Sequence, residues 1–197
     1  MEFIYSLDDE ITRLVDLGEE YQWFLDNNFP AIFPEFYDEV YKSTYGDATN
    51  FKTKITEGLA KIYDESKYVL AAEQAKKSWA TIENNFLQAL VDLRLGVKPN
   101  YQCYISLYGP SGQFFYPNII NLRVVTDLDI KEININLAHE IVHLSIYQKV
   151  KELKLNYAQT EGVVDLIFTE TQLKNIFPDY QLQSGVVHDK ELLAKFI

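Results

Sequence analysis

The chain of 197 residues contains one cysteine, one methionine and three histidines, and it has no surplus of positive charge. A single cysteine, Cys103, excludes an intramolecular disulfide framework. It sits among aromatic and β-branched residues, where it is expected to be a small buried hydrophobe. Nucleophilic cysteine chemistry needs a nearby histidine base, and two of the three histidines belong to another motif. Lys and Arg number 18 against 29 Asp and Glu, a formal net charge of −11. Neither a nucleic acid nor a membrane is therefore expected as a partner, since both nucleic acid and anionic lipid call for a positive surface. No uninterrupted apolar stretch reaches the length of a membrane span. The first ten residues turn acidic at Asp8-Asp9-Glu10, where a secretory signal would run apolar. These absences lead to the expectation of a soluble, cytoplasmic protein.

What the chain does have is apolar and aromatic material, 47% and 14% of its residues, enough for one well-packed core or two small lobes sharing a cleft. One compact domain is expected, with residues 1–100 as a helical amino-terminal part and 101–197 as the part that carries the chemistry. Ser6 is placed to cap a helix whose Ile11, Leu14, Val15, Tyr21, Phe24 and Leu25 share a face, ending at Asn27-Asn28-Phe29-Pro30. A second helix starts near Pro34 and stops at Gly46. Helical periodicity continues from Phe51 to Leu95, interrupted around 65–69. Nothing in this half gathers polar groups at catalytic spacing, so it reads as scaffold or cleft wall.

The pattern changes at Tyr101. Segments 101–108 and 118–125 read as strands flanking the turn Gly109-Pro110-Ser111-Gly112, as a hairpin with an elaborated loop. Asp129, with Glu132 three residues on, resembles a helix start, and a long helix follows to about Lys154. Another is expected from about Ala158 to Asn175. Residues 181–187 read as extended, and 189–196 as a last short helix.

Inside the long helix lies His139-Glu140-Ile141-Val142-His143, an H-E-x-x-H motif. Residues four apart on a helix lie one above the other, so both imidazoles can reach one ion while Glu140 approaches it from the side. Neutral imidazole nitrogen suits Zn²⁺, and a carboxylate beside the ion can take a proton from a water whose pKa zinc lowers to about 7. Glu140 would then pass that proton to a leaving amine. Ile133, Leu137, Ile141 and Leu144 give the helix its apolar positions.

A catalytic zinc needs three protein ligands and an open position, which predicts a further ligand downstream. Glu161 is preferred, because Thr160-Glu161-Gly162-Val163-Val164-Asp165 begins a new helix that can fold back across the site, with Glu161 in its first turn. Glu152, Asp165, Glu170 and His188 also lie downstream. Asp165, one turn after Glu161, is placed to accept a hydrogen bond from the free ring nitrogen of a ligand histidine.

H-E-x-x-H followed eighteen residues after its second histidine by Glu161, and then by Asp165, resembles the gluzincin metallopeptidases. Thermolysin-like enzymes and the zinc aminopeptidases share this layout. The resemblance spans about residues 118–171 and implies an α+β, zincin-like fold, predominantly helical with a small sheet. It also implies one Zn²⁺ ion on His139, His143 and Glu161, Glu140 as general base, and Asp165 as partner of His139. Gly162 is similar to the glycine of the aminopeptidases' Asn-Glu-Gly stretch, although their Gly-x-Met-Glu-Asn element is absent. The family picture makes 119–124 the strand that rims the cleft and pairs with substrate backbone. It also makes His188 a stabiliser of the oxyanion, with Tyr157 and Tyr180 as competitors.

The resulting expectation is a zinc metallopeptidase acting on a peptide or protein substrate. The alternatives are a non-catalytic zinc protein that binds peptides or uses the ion for stability, and a zinc hydrolase of a non-peptide amide or ester.

Overall fold

The computed structural model describes residues 1–125 and 130–197. The fold is α+β. It starts with strand β1 (Glu2–Ile4) and helix α1 (Leu7–Asp16). The Ser6 hydroxyl accepts a hydrogen bond from the Asp9 amide, satisfying one of the free amides of the first turn. The single helix expected through Leu25 is instead two, because α1 stops and α2 (Tyr21–Asp26) starts afresh. Gly18 lies between them, where a Cβ would stand 2.6 Å from the Phe51 ring. There follow strand β2 (Ala31–Ile32) and the helices α3 (Tyr37–Ser43), α4 (Ala48–Ile62), α5 (Glu65–Ala80) and α6 (Glu83–Asp92). The expected interruption falls just ahead of 65–69, where Asp64 caps α5.

The second half brings the strands β3 (Gln102–Ser106), β4 (Gly109–Pro110), β5 (Gly112–Phe115) and β6 (Ile119–Arg123). A four-stranded sheet has the order β1-β3-β6-β5, and β2 pairs with β4 in a separate two-stranded ribbon. The expected hairpin between 101–108 and 118–125 is not formed. β3 and β6 run parallel, Cys103 opposite Ile120 and Ile105 opposite Leu122, while β6 forms its antiparallel pair with β5. β1 joins the far side of β3 in parallel, so the first residues of the chain complete the sheet that carries the site. Strand 119–123 is therefore internal. Among the described residues, the edge without a partner is the outer side of β5.

Side chains alternate across the sheet. Cys103, Ile105, Ile120 and Leu122 all point to one buried face, which is covered by α5 and by α7 (Ile130–Leu153). The start of α7 is preceded by residues outside the described set, and the proposed cap Asp129 is among them. Its Ile133, Leu137, Ile141 and Leu144 are buried as the periodicity predicts, and so are Asn134, Ala138, Val142 and Ile146. A helix apolar on several faces must be enclosed on several sides. Here β5 and β6, α5 and α8 (Tyr157–Glu170) enclose α7. Ser78 of α5 donates to the Asn134 side chain of α7 at 2.8 Å, so the polar pair inside this interface is matched.

Asn156 caps α8 in a reciprocal box with Gln159. This starts the helix at Tyr157 and puts Glu161 in its second turn, not its first. Thr171 breaks the helix, and a 3-10 turn (Gln172–Asn175) replaces its expected last turn. Residues 181–187 form no strand, and α9 (Lys190–Leu193) follows its cap Asp189. No helix among the described residues is long and apolar enough to cross a membrane.

Two cores result. One, on the sheet, α5 to α8 and the carboxyl-terminal segment, includes Trp79, Phe86, Ile120, Leu137 and Phe168. The other lies among α1 to α4 and is largely aromatic, with Tyr21, Phe24, Tyr37 and Phe51.

Candidate metal centre

α7 presents His139 and His143 toward α8, and Glu161 meets them from the opposite side. His139 Nε2 lies 3.2 Å from Glu161 Oε2 and 3.0 Å from His143 Nε2, and His143 Nε2 lies 3.3 Å from Glu161 Oε1. These three side chains form a group able to hold a metal ion. The other ligand choices lie elsewhere. Glu152 pairs with Lys149 and Glu170 with Lys190, while Asp165 and His188 bind each other.

The protonation pattern shows why the donor set fits a cation. Asp165 is fully buried and accepts three hydrogen bonds, from the Tyr180 hydroxyl (2.8 Å), the Gln183 amide (2.8 Å) and His188 Nε2 (2.8 Å). An ionised carboxylate only accepts, so the one hydroxyl proton of Tyr180 is committed to it. The Tyr180 oxygen then accepts from His139 Nδ1, 3.1 Å away. In the neutral imidazole that a metal ligand requires, His139 Nε2 is then a lone pair aimed at the Glu161 carboxylate. Two acceptors face one another across 3.2 Å, an arrangement that a cation between them stabilises. Asp165 was expected to touch His139 itself; Tyr180 stands between them and relays the contact.

Glu161 is held in place by Gln183 Nε2, which donates to its Oε2 at 2.8 Å. Gly162 has a packing reason. A Cβ there would stand 1.9 Å from the Val187 carbonyl oxygen, and the Val187 amide bonds Ala158. Only glycine lets the segment carrying Tyr180, Gln183 and His188 lie this close to α8.

On the other side of the ligands is β5. Gly112 and Phe114 share the face that looks at α7. Phe114 lies flat on the His143 ring, with centroids 4.8 Å apart and 9° between planes. His143 Nδ1, buried in this stack, has no hydrogen-bond partner among the described residues. At Gly112 a Cβ would meet Glu140 Oε1 at 2.4 Å, so the glycine admits the Glu140 carboxyl against this face of β5. Burial pushes the Glu140 pKa up to about 7; His139 and Arg13 pull it down, and Glu161 adds to the rise.

No local pattern points to Arg13, which lies in the half that gathers no polar groups at catalytic spacing. It is buried, and its pKa is lowered to about 10 by that burial against the pull of Glu10. Gly112 was read only as part of a turn, and Gln183 lacks any local signal. His188 lies on Asp165, outside the ligand group. Tyr157 is largely exposed, one helical turn before Glu161. Burial and then the charges of Glu161, Glu140 and Asp165 raise its pKa.

The chain matches no family model, no curated protein and no solved structure.

Proposed function

We propose that this protein is a zinc-dependent peptidase with a gluzincin-type site in a zincin-like fold. The observation that carries the reading is the convergence of His139 Nε2, His143 Nε2 and Glu161 beside a buried carboxyl, Glu140, packed on β5, whose outer edge has no partner among the described residues. A purely structural site needs the ligands but has no use for an unligated carboxylate held next to them.

A zinc ion bound by His139, His143 and Glu161 supplies Lewis-acid polarisation of a carbonyl and acidification of a water. The residues of the chain supply the rest. An extended substrate adds to the free edge of β5 through backbone hydrogen bonds, which fixes its carbonyl beside Glu140. Glu140 takes the proton of the attacking water and returns it to the leaving nitrogen. Tyr180 and Asp165 hold His139 in one tautomer and orientation. Of the candidates Tyr157, Tyr180 and His188 for donation to the developing oxyanion, the last two are engaged with Asp165, so the role is assigned to the exposed Tyr157.

The test combines metal analysis with cleavage of a peptide library, with and without chelator. Glu140→Gln is expected to keep about one zinc per chain and to lose hydrolysis by at least ~100-fold. Unchanged cleavage by that variant would sink the mechanism, and metal retention with no cleavage by the wild type would favour a non-catalytic peptide binder.

A further inference from the structure

On the Ser111 side of β5, lined by chain neighbours of the site residues, is a cavity of ≈ 570 Å³. Asn136, one turn before Glu140 on α7, lines one wall, Ser111 and Arg123 line another, and Gln181, the neighbour of Tyr180, lines a third. The cavity thus continues the cleft past the point where Glu140 meets Gly112. A substrate strand antiparallel to β5 would run its carboxyl side into this space.

Charge in the cavity is unevenly matched. Lys131 is tied to Asp179 at 2.7 Å, and Glu132 is exposed on the rim. Arg123 is half-buried and without a carboxylate partner among the described residues. Its Nη1 donates to the Gly109 carbonyl at 2.6 Å, which uses one of five guanidinium N–H groups. Its backbone is also fixed, because the Arg123 amide bonds the Ser111 carbonyl at 3.1 Å. The head group is therefore held in place with donors to spare, the condition under which a guanidinium recognises a carboxylate in two-pronged fashion. Burial lowers its pKa, so an anionic ligand would restore lost solvation.

We infer that Arg123 forms a carboxylate-recognition subsite in this cavity, which selects substrates bearing a carboxylate, terminal or side-chain, just beyond the scissile bond on the Ser111 side. This rests on the peptidase reading and gives it a substrate class. In a chain of net charge −11, acidic substrates are disfavoured at long range, so a preference for them has to come from a local cation such as this one.

The experiment uses the full zinc-loaded chain and N-acetylated decapeptides of randomised interior, prepared as free acids and as carboxamides. A second carboxamide series replaces interior Asp and Glu by Asn and Gln. A preference of roughly tenfold or more in kcat/KM for the carboxylate member is expected in at least one series. The first series reports a terminal carboxylate and the second a side-chain one. Arg123→Gln is expected to bring the ratio to about one, and Arg123→Lys to leave an intermediate value. If Arg123→Gln does not fold, Arg123→Lys carries the comparison, since it keeps the charge and loses the fork. Equal cleavage in both series, or a preference that survives these substitutions, overturns the subsite.

Calorimetric titration of the same peptides into zinc-loaded Glu140→Gln protein separates the two claims. An Arg123-dependent carboxylate preference in binding, with no cleavage by the wild type, keeps the subsite and removes the peptidase. Binding without that preference removes the subsite alone when the wild type cleaves peptides.

Discussion

The two cores of this chain bury polar atoms in opposite ways. In the amino-terminal core, aromatic rings pack on one another, Tyr37 meeting Tyr21 edge to face at 4.9 Å and Phe33 in a tilted contact at 4.6 Å. The Tyr37 hydroxyl is paired, donating to the Leu14 carbonyl at 2.7 Å. That pairing serves packing. In the carboxyl-terminal core, His143, Glu161, Glu140 and Asp165 are buried together, and His139 Nε2 faces Glu161 Oε2 at 3.2 Å. The first arrangement is complete within the protein, whereas the second includes a group able to hold a metal ion. Substitutions that treat the two cores alike should therefore have unlike consequences.

The largest expected effect on folding lies in the aromatic core. Tyr37→Ala empties a fully buried ring site and should cost about 3–5 kcal/mol, read as a shift in the denaturant midpoint. Zinc content per folded chain should not change. A parallel loss of bound metal would show that the two cores are one functional unit and erase the contrast.

His143→Ala should act in the other direction. Zinc at about a hundred times its Kd should add about 2.7 kcal/mol to the wild type, and this metal-dependent increment should vanish in the variant. Thermal melts with zinc and with chelator measure it. An increment that persists without His143 would remove that residue from the ligand set.

How far these features could be read beforehand follows from their sequence range. Ile133, Leu137, Ile141 and Leu144 with His139 and His143 were legible because helix geometry turns a local spacing into a shared face. Glu161 was legible for the same reason, once a second helix was placed behind the first. The pairing of β3 with β6 was not, since the Gly109–Gly112 turn signal is local and cannot say that β5 will take the hairpin position beside β6. Tyr180 is one of fourteen tyrosines, and its contact with His139 spans 41 residues. The reason for Gly162 lies at Val187, and the electrostatic reach of Arg13 to Glu140 crosses most of the chain. Long-range contacts of this kind leave no periodic trace.

A smaller effect is expected at Asp165. Asp165→Asn exchanges an acceptor of three hydrogen bonds for a group with one oxygen and an amide that faces donors. The cost should be about 1–3 kcal/mol. Loss of the anchored His139 tautomer should weaken zinc binding by about 10- to 100-fold, as measured by competition with a chromogenic chelator. Weakened stability with unaltered zinc affinity would mean that Asp165 only fastens the carboxyl-terminal segment.

The finest test of the contrast removes the same atom from each core. Tyr37→Phe and Tyr180→Phe each delete one buried hydroxyl, and each should cost on the order of 1 kcal/mol in stability. The difference is in what the deleted oxygen was doing. In Tyr37 it donates to a main-chain carbonyl and nothing further depends on it. In Tyr180 it donates to Asp165 and accepts from His139, so its loss frees His139 to place its proton on Nε2, the atom that would hold the ion. Tyr37→Phe should leave zinc affinity as it is, and Tyr180→Phe should lower it by about tenfold. Equal affinities in the two variants would show that the relay through Tyr180 does not set the state of His139.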